Sequence, residues 1–463
     1  MSPALAFAPA DAPSRPLYVI HPADLPEWIG GTGKQWAGWL ANTGFEAGMG
    51  DLRLLPGGDG VAAAVIGMGS PQARARSRFA LAKAATALPA GDWQLAGNLS
   101  VTERAEAALG WLLAGYRFDR YRPGKVPAPL ARLCLPDAVD GETLLTMVEG
   151  EFLTRDLINT PANDLGPEDL QAAFFALAEA HDARASAIVG DDLLAQNFPM
   201  IHAVGRAAAR APRLLEMRWG DEGPQLTLVG KGVCFDTGGL DIKPATGMLL
   251  MKKDMGGAAT AMGLAQMIMR LGLPIRLRLL VPAVENAISG SAMRPRDILT
   301  SRKGLTVEVN NTDAEGRLIL ADALAYACEE ESAAVISLAT LTGAARVAVG
   351  PDLAPYYCDD AEMVTALEAG ALAGFDPVWR MPFWAPYESM IEPGIADLDN
   401  APSGGFAGSI TAALFLRRFV NTSRYAHFDI YGHVPSDLPG RPKGGTGQSA
   451  RAILHALPMI LGL

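Results

Sequence analysis

The sequence predicts an α/β protein of two domains: a smaller N-terminal α/β domain, and a larger C-terminal domain with a mostly parallel sheet flanked by helices. Three observations carry this. The chain has 463 residues, well beyond the ~150 of one ordinary domain. Strand-like runs alternate with helical stretches along it, the pattern of repeated β-loop-α units. Pro and Gly thicken at 122–129 and again at 136–141, where a first domain would end. The expected division is residues 1–141, a linker helix over 142–162, and residues 163–463.

Composition narrows the class. Hydrophobic residues are 49% and charged residues 19%, ample for a large core and unlike a disordered chain. Gly 50 and Pro 33 make about 18%, below the ~25–30% of low-complexity chains. A net charge of −11 argues against nucleic acid or an anionic membrane as the main partner. Cys134, Cys234, Cys328 and Cys358 show no paired spacing and read as reduced thiols. The apolar start, 1–16, lacks a basic n-region and carries four prolines, so it does not read as a signal peptide. The charge-free run 332–345 is too short and too rich in Ser, Thr and Gly to span a membrane. A cytoplasmic protein is expected.

In the first domain, strands are expected at Leu17–Ile20 and Val61–Ile66, and helices at Arg78–Ala87 and Ala105–Tyr116. Leu144, Val148, Phe152 and Leu153 lie near helical spacing, so Leu144–Ile158 reads as one amphipathic helix. It stops at Asn159-Thr160-Pro161 because Pro disfavours helix in the residue before it. The second domain alternates more strongly. Strands are expected at Leu226–Val229, Arg276–Pro282, Leu305–Val309 and Ala334–Leu338, with helices at Gly257–Arg270 and about 315–330. No internal repeat is visible. In such sheets ligands bind beyond the carboxyl ends of the strands.

The chemically distinctive residues fall there. After Leu226–Val229 the loop 230–243 holds Lys231, Asp236, Gly238-Gly239 and Lys243. The segment Lys252-Lys253-Asp254-Met255-Gly256-Gly257 opens a helix, and Asn310-Asn311-Thr312-Asp313-Ala314-Glu315-Gly316-Arg317 follows another strand. Asp236, Asp254, Asp313 and Glu315 are four carboxylates that would raise one another's pKa if they converged without cations. Two divalent ions would neutralise them, and hard oxygen donors suit Mg²⁺ or Mn²⁺ and are accepted by Zn²⁺ and Co²⁺. None of the six His lies between His202 and His427, so a metal centre here must be built from carboxylates, with a neutral lysine as the available nitrogen donor. Taken singly, each piece has a plainer reading: Asp254, Asp313 and Glu315 could serve their helix starts, and Cys234 reads as core.

Together the segments resemble the leucine (cytosol) aminopeptidase family of dinuclear metallo-aminopeptidases. The octapeptide 311–318 (NTDAEGRL) is that family's signature; 231–243 and 253–258 match its other motifs, as do 157–161, 339–343, 395–398 and Gly404-Gly405. The match runs from about residue 150 to the end, is most specific over 226–345 and is weak over the first 140. It implies that 163–463 is a catalytic metallopeptidase domain. It implies one metal site of Asp236, Asp313 and Glu315 and a tighter one of Lys231, Asp236, Asp254 and Glu315. These would hold two divalent ions per subunit, Mn²⁺ or Zn²⁺, with Mg²⁺ and Co²⁺ as alternatives. Lys243 would hold the developing oxyanion, and Arg317, with the backbone at Leu341, a bicarbonate ion acting as general base. A metal-bridging hydroxide would attack. Met251, Thr340 and Gly343 match the side-chain pocket, implying peptide substrates with a hydrophobic N-terminal residue. The family forms hexamers, so a homo-hexamer is expected. One position departs: Tyr431 stands where many members have a small residue, with His433 close behind, so the resemblance specifies the chemistry more firmly than a leucine preference. The alternative, a member acting mainly as a scaffold or nucleic-acid-binding assembly, sits poorly with seven intact functional positions and an acidic chain. A dinuclear phosphohydrolase would fit the carboxylates but not the lysine pair.

Overall fold

The computed structural model describes residues 5–9, 11–58, 60–122 and 130–463. The Pro/Gly-rich stretch from 123 to 129, and residues 1–4 and 10 of the apolar start, lie outside them.

The chain divides into two compact units, 1–149 with 436–443, and 150–435 with 444–463. The division falls inside the helix Gly141–Asn159, and a short late segment groups with the N-terminal unit. The first unit is built on a five-stranded sheet of β1 (Arg15–Ile20), β2 (Leu52–Gly57), β3 (Gly60–Gly67), β4 (Gly91–Ala96) and β5 (Ala131–Leu133), in the order β2-β3-β1-β4-β5. Its pairings are parallel except β2 with β3. The helix expected at Arg78–Ala87 begins only at Ala82. Phe79 takes a positive φ of 53°, outside any right-handed helix, and its N–H is taken by Glu106 Oε1 at 3.0 Å. The next helix starts earlier than expected, at Val101, because Ser100 and Glu103 cap it reciprocally.

The second unit carries β6 (Arg184–Val189), β7 (Arg213–Trp219), β8 (Gln225–Gly230), β9 (Gly232–Asp236), β10 (Arg276–Asn286), β11 (Ile298–Thr300), β12 (Thr306–Glu308), β13 (Ala334–Ala339), β14 (Ala354–Cys358), β15 (Val378–Met381), β16 (Leu398–Asp399) and β17 (Tyr425–Asp429). Its main sheet is ordered β15-β14-β17-β13-β8-β10-β7-β6, with β9 also on β10. The centre, β17-β13-β8-β10, is parallel. Antiparallel neighbours flank it at β14, β7 and β6. The fully buried strands β8 and β13 are mostly apolar, broken by Gln225, Thr227 and Ser337, as expected of strands covered on both faces. Helix Gly256–Arg270 packs so closely here that a Cβ on Gly257 would collide with the Leu338 carbonyl, and one on Gly230 would come 2.6 Å from Ala258 Cα.

One expected strand sits elsewhere. Leu305–Val309 shortens to β12, which pairs antiparallel with β11 and parallel with β16 in a separate three-stranded sheet. Among the described residues no helix is long and apolar enough to cross a membrane.

Candidate metal centre

The main sheet presents Lys231 and Asp236 by splitting a strand. Strand β10 is long enough to pair with β8 along its first half and with β9 along its second. Lys231 stands at the break between β8 and β9 and Asp236 at the end of β9, beside Asn286 at the end of β10. Asn286 Nδ2 donates to Asp236 Oδ1 (2.8 Å) and to the Thr312 carbonyl (3.1 Å), and the Gly238 N–H adds a third bond at 2.9 Å. Gly238 and Gly239 take φ of +87° and +65°, conformations that a side chain would strain. A Cβ on Gly239 would also meet Thr312 Oγ1 at 2.9 Å.

Asp313 and Glu315 come from the side sheet, in the loop between β12 and the helix Glu315–Ala327. Asn400, fully buried just after β16, holds that loop. Its Oδ1 accepts from the N–H groups of Asn310 and Asn311, and its Nδ2 donates to the carbonyls of Asn311 and Ala314. Thr312, with no exposed surface, joins the two loops: its hydroxyl donates to the Gly238 carbonyl (2.6 Å) and accepts from the Asp241 N–H (2.9 Å). Asp254 arrives from the 3₁₀ turn Met251–Met255, where Thr340 Oγ1 donates to its Oδ1 at 3.0 Å. Neither helix start is capped by a side chain, so helix capping does not account for these acids.

The five expected ligands converge. One oxygen each from Asp236, Asp313 and Glu315 fall within 4.8 Å of one another. Lys231 Nζ lies 2.8 Å from Asp254 Oδ2, 3.0 Å from Glu315 Oε1 and 2.9 Å from the Thr340 carbonyl. Lys243 Nζ is 2.8 Å from Asp236 Oδ2 and pairs with Asp313. Gly316 leaves room for this, since a Cβ there would stand 2.6 Å from Lys231 Nζ.

The electrostatics follow. Burial works against the Lys231 ammonium, but Asp254, Glu315 and Asp236 outweigh it and hold its pKa above the usual range. Lys243 is raised in the same way, burial being overcome by Asp236 and Asp313. Burial, reinforced by neighbouring carboxylates, pushes both Asp254 and Asp313 up to about 7. Four carboxylates thus face two ammonium groups, and Asp254 Oδ2, Asp313 Oδ1 and Glu315 Oε1 lie against lysines but outside hydrogen-bond geometry. A surplus of buried, under-bonded carboxylate oxygen is the donor set that divalent cations satisfy. The residues fit such ions.

Arg317, in the first turn of the same helix, is buried, and among the described residues its Nε has no acceptor. Burial lowers its pKa to about 10 against Asp429, Glu315 and Asp399, so the guanidinium stays charged at neutral pH. The Leu341 N–H is committed to Asp429 Oδ1 at 3.1 Å. Asp429 also takes the Thr342 N–H and hydroxyl and the Ser409 hydroxyl, fixing the loop after β13. Of the expected pocket residues, Thr340 reaches Asp254, Met251 lies in the 3₁₀ turn, and Gly343 opens a helix with clear space beside it. Tyr431 lies two residues past β17, its ring centroid 4.9 Å from Lys253 Nζ and 5.2 Å from Arg346 Cζ. Burial draws Lys253 down to about 8, against the pull of Asp254.

Asn286, Asn400 and Asp429 are positioning residues that sequence reasoning missed. Asn400 could have been noticed, since it lies between two matched segments, Ile395–Leu398 and Gly404-Gly405. Asn286 and Asp429 offered no such signal.

Comparison with known proteins gives one family. The description "Cytosol aminopeptidase family, catalytic domain" matches residues 152–454, and "M17 aminopeptidase, N-terminal domain" matches 15–136. A Chlorobium limicola protein named "Probable cytosol aminopeptidase" is 36% identical over 456 residues, 89% of this chain and 90% of its own. One of the same name from Roseiflexus castenholzii is 41% identical over 77% and 76%. The crystal structure of a cytosol aminopeptidase from Coxiella burnetii superposes with a TM-score of 0.90 at 42% identity, covering 96% of this chain and 97% of that one. The bottromycin maturation enzyme BotP in complex with Mn follows at 0.85 and 30% identity, covering 96% and 98%.

Proposed function

Because this chain belongs to the cytosol aminopeptidase family, whose members are metal-dependent peptide hydrolases, we propose how its own residues carry the reaction. The observation that carries the reading is the surplus of under-bonded carboxylate oxygen around Lys231 and Lys243.

Asp236, Asp313 and Glu315 would hold one divalent ion, and Lys231, Asp236, Asp254 and Glu315 a second. Mn²⁺ and Zn²⁺ are the first candidates, Mg²⁺ and Co²⁺ the alternatives, and the Mn complex of BotP supports Mn²⁺. When bound, such ions polarise the scissile carbonyl and make water acidic enough to serve as a nucleophile near neutral pH. Lys243, kept protonated by Asp236 and Asp313, donates to the oxygen on which negative charge develops. Arg317 would hold a bicarbonate ion, which would supply the general base. With the Leu341 N–H given to Asp429, the backbone group left at Leu341 to help hold such an ion would be its carbonyl. Met251, Thr340, Gly343 and Tyr431 line the side-chain pocket, whose apolar walls favour hydrophobic N-terminal residues. Residues 1–141, 142–162 and 163–463 remain the proposed domain, linker and catalytic domain. The assembly is a cytoplasmic homo-hexamer.

Aminoacyl arylamides, measured with and without chelation and added Mn²⁺, test this reading. Hydrolysis should need a free α-amine, stop on chelation and return with metal. Cleavage of an aryl phosphate in preference, or arylamide turnover that survives chelation, overturns it. Sedimentation velocity checks the hexamer.

A further inference from the structure

Lys253 is buried, with only 7% of its surface exposed. Among the described residues no carboxylate lies within ion-pair distance of Lys253 or of Arg346. Buried ammonium groups are rare unless paired, and here a second cation approaches the same aromatic ring. The two would repel each other unless the Tyr431 ring and an anion shared their charge.

The ring is fixed in place. Gln448 Oε1 accepts from the N–H groups of Tyr431 and Gly432 at 2.8 and 2.9 Å, and His433 packs edge-on against the ring at 5.9 Å. The cluster adjoins the metal centre through the chain, since Lys253 precedes Asp254, and through Thr340, which bonds Asp254 and packs 3.2 Å from the Cβ position of Gly432. Gly343, three residues before Arg346, leaves open space.

We infer that Lys253, Arg346 and Tyr431 form a cationic subsite that recognises a carboxylate on the side chain of the substrate's N-terminal residue. The inference rests on the aminopeptidase reading and adds to its apolar pocket a preference for an acidic side-chain tip. The apolar surface of Met251 and Tyr431 accommodates methylenes, and the two cations accept the acidic tip. A glutamyl side chain has both parts, three bonds long. Charged hydrogen bonds are about twice as strong as neutral ones, and a neutral isostere would leave the buried Lys253 ammonium unanswered.

The test compares L-glutamyl, L-glutaminyl and L-leucyl p-nitroanilides on the Mn²⁺-loaded full chain. Glutamyl and glutaminyl differ in charge and hardly in shape. The native protein should favour glutamyl over glutaminyl by ~10–100-fold in kcat/KM. Lys253→Met, which keeps the length and removes the charge, should bring that ratio to within a few-fold of one. Arg346→Gln, at an exposed position, should lower it partway and guards against a folding defect at the buried lysine. A native ratio near one, with leucyl p-nitroanilide still cleaved, overturns the subsite and leaves the aminopeptidase reading standing. Failure to cleave any of the three overturns both. A high native ratio that both variants retain places the selectivity elsewhere and also overturns it.

Discussion

The cluster around Asp236 and the cluster around Glu151 are both buried, both made of carboxylates and long cationic side chains, and both in the larger unit. They differ in how completely they close. Glu151 and Arg155 form an ion pair at 2.7 Å, each 1% exposed. Glu151 Oε1 also accepts from Thr446 Oγ1 and the Gly447 N–H, and Oε2 from Arg451. Arg451 continues to Asp376 at 3.4 Å and to the Gly374 carbonyl. Two acids meet two arginines, and both oxygens of Glu151 are bonded. Around Asp236, four acids meet two lysines and three oxygens lack a proper donor. Buried polar groups are satisfied where their role is structural, and the exceptions call for a ligand. Closure, more than burial or charge, tells the two clusters apart.

The contrast breaks first at Asp254. Asp254→Asn removes one proposed ligand from a set with surplus charge, so turnover should fall by ~10³-fold or more. The thermal midpoint of the metal-free protein should hold or rise, because repulsion among the remaining acids eases. Bound metal by elemental analysis, with kinetics and a melt, decides it: two metals and near-normal turnover would remove Asp254 from the site. Arg317→Ala should come next. An arginine cannot ligate while protonated, so both metals should stay while hydrolysis slows by ~10²–10⁴-fold, the typical worth of general-base placement. Joint loss of metal and activity would make Arg317 structural.

At the closed cluster the signs reverse. Glu151→Gln leaves Arg155 and Arg451 buried against a neutral amide, and breaking a buried pair typically costs 3–5 kcal/mol, about that much here. Metal content and kcat of the folded fraction should not change. Denaturant unfolding beside kinetics reads both. A Glu151→Gln protein as stable as the native one, or one that loses metal, would show that closure does not separate structure from function here.

What the sequence displayed and what it hid follow the same physics. Strands β8 and β13 were legible because a strand buried on both faces is a mostly apolar run, and β10 because residues 279–284 form one. Part of the proposed site was legible because two expected ligands, Asp313 and Glu315, and Arg317 beside them fall within five residues, at a strand-to-helix loop. Of the sheet of β11, β12 and β16 only the β12 stretch was expected as strand; β11 and β16, of three and two residues, are too short to show a period. Asn400 acts on a loop some 90 residues earlier and Asn286 on one 50 residues earlier, and no local pattern encodes such pairings. Tyr431 was noticed for its size, but its neighbours Lys253 and Arg346 became visible only once the chain was folded.

The smallest expected effect lies at Thr312, where the open cluster borrows from closed architecture. The Thr312 hydroxyl donates to the Gly238 carbonyl and accepts from the Asp241 N–H, so it is as satisfied as any atom around Glu151. It touches no metal-facing oxygen, yet it ties the loop bearing Asp236 to the loop bearing Asp313 and Glu315. Thr312→Val keeps the shape and removes both bonds, leaving a buried carbonyl and N–H without those partners. Unsatisfied buried groups typically cost ~1–3 kcal/mol, so stability should fall by about that much. Ligand spacing should loosen enough to lower metal affinity ~10-fold, the low end of what supporting contacts are worth. At saturating Mn²⁺ kcat should recover most of its native value, which a lost ligand could not do. Titration of metal into the chelated variant, followed by activity, measures this. If kcat stays low at saturating metal, Thr312 sets the chemistry itself, and the boundary drawn between closed and open clusters lies in the wrong place.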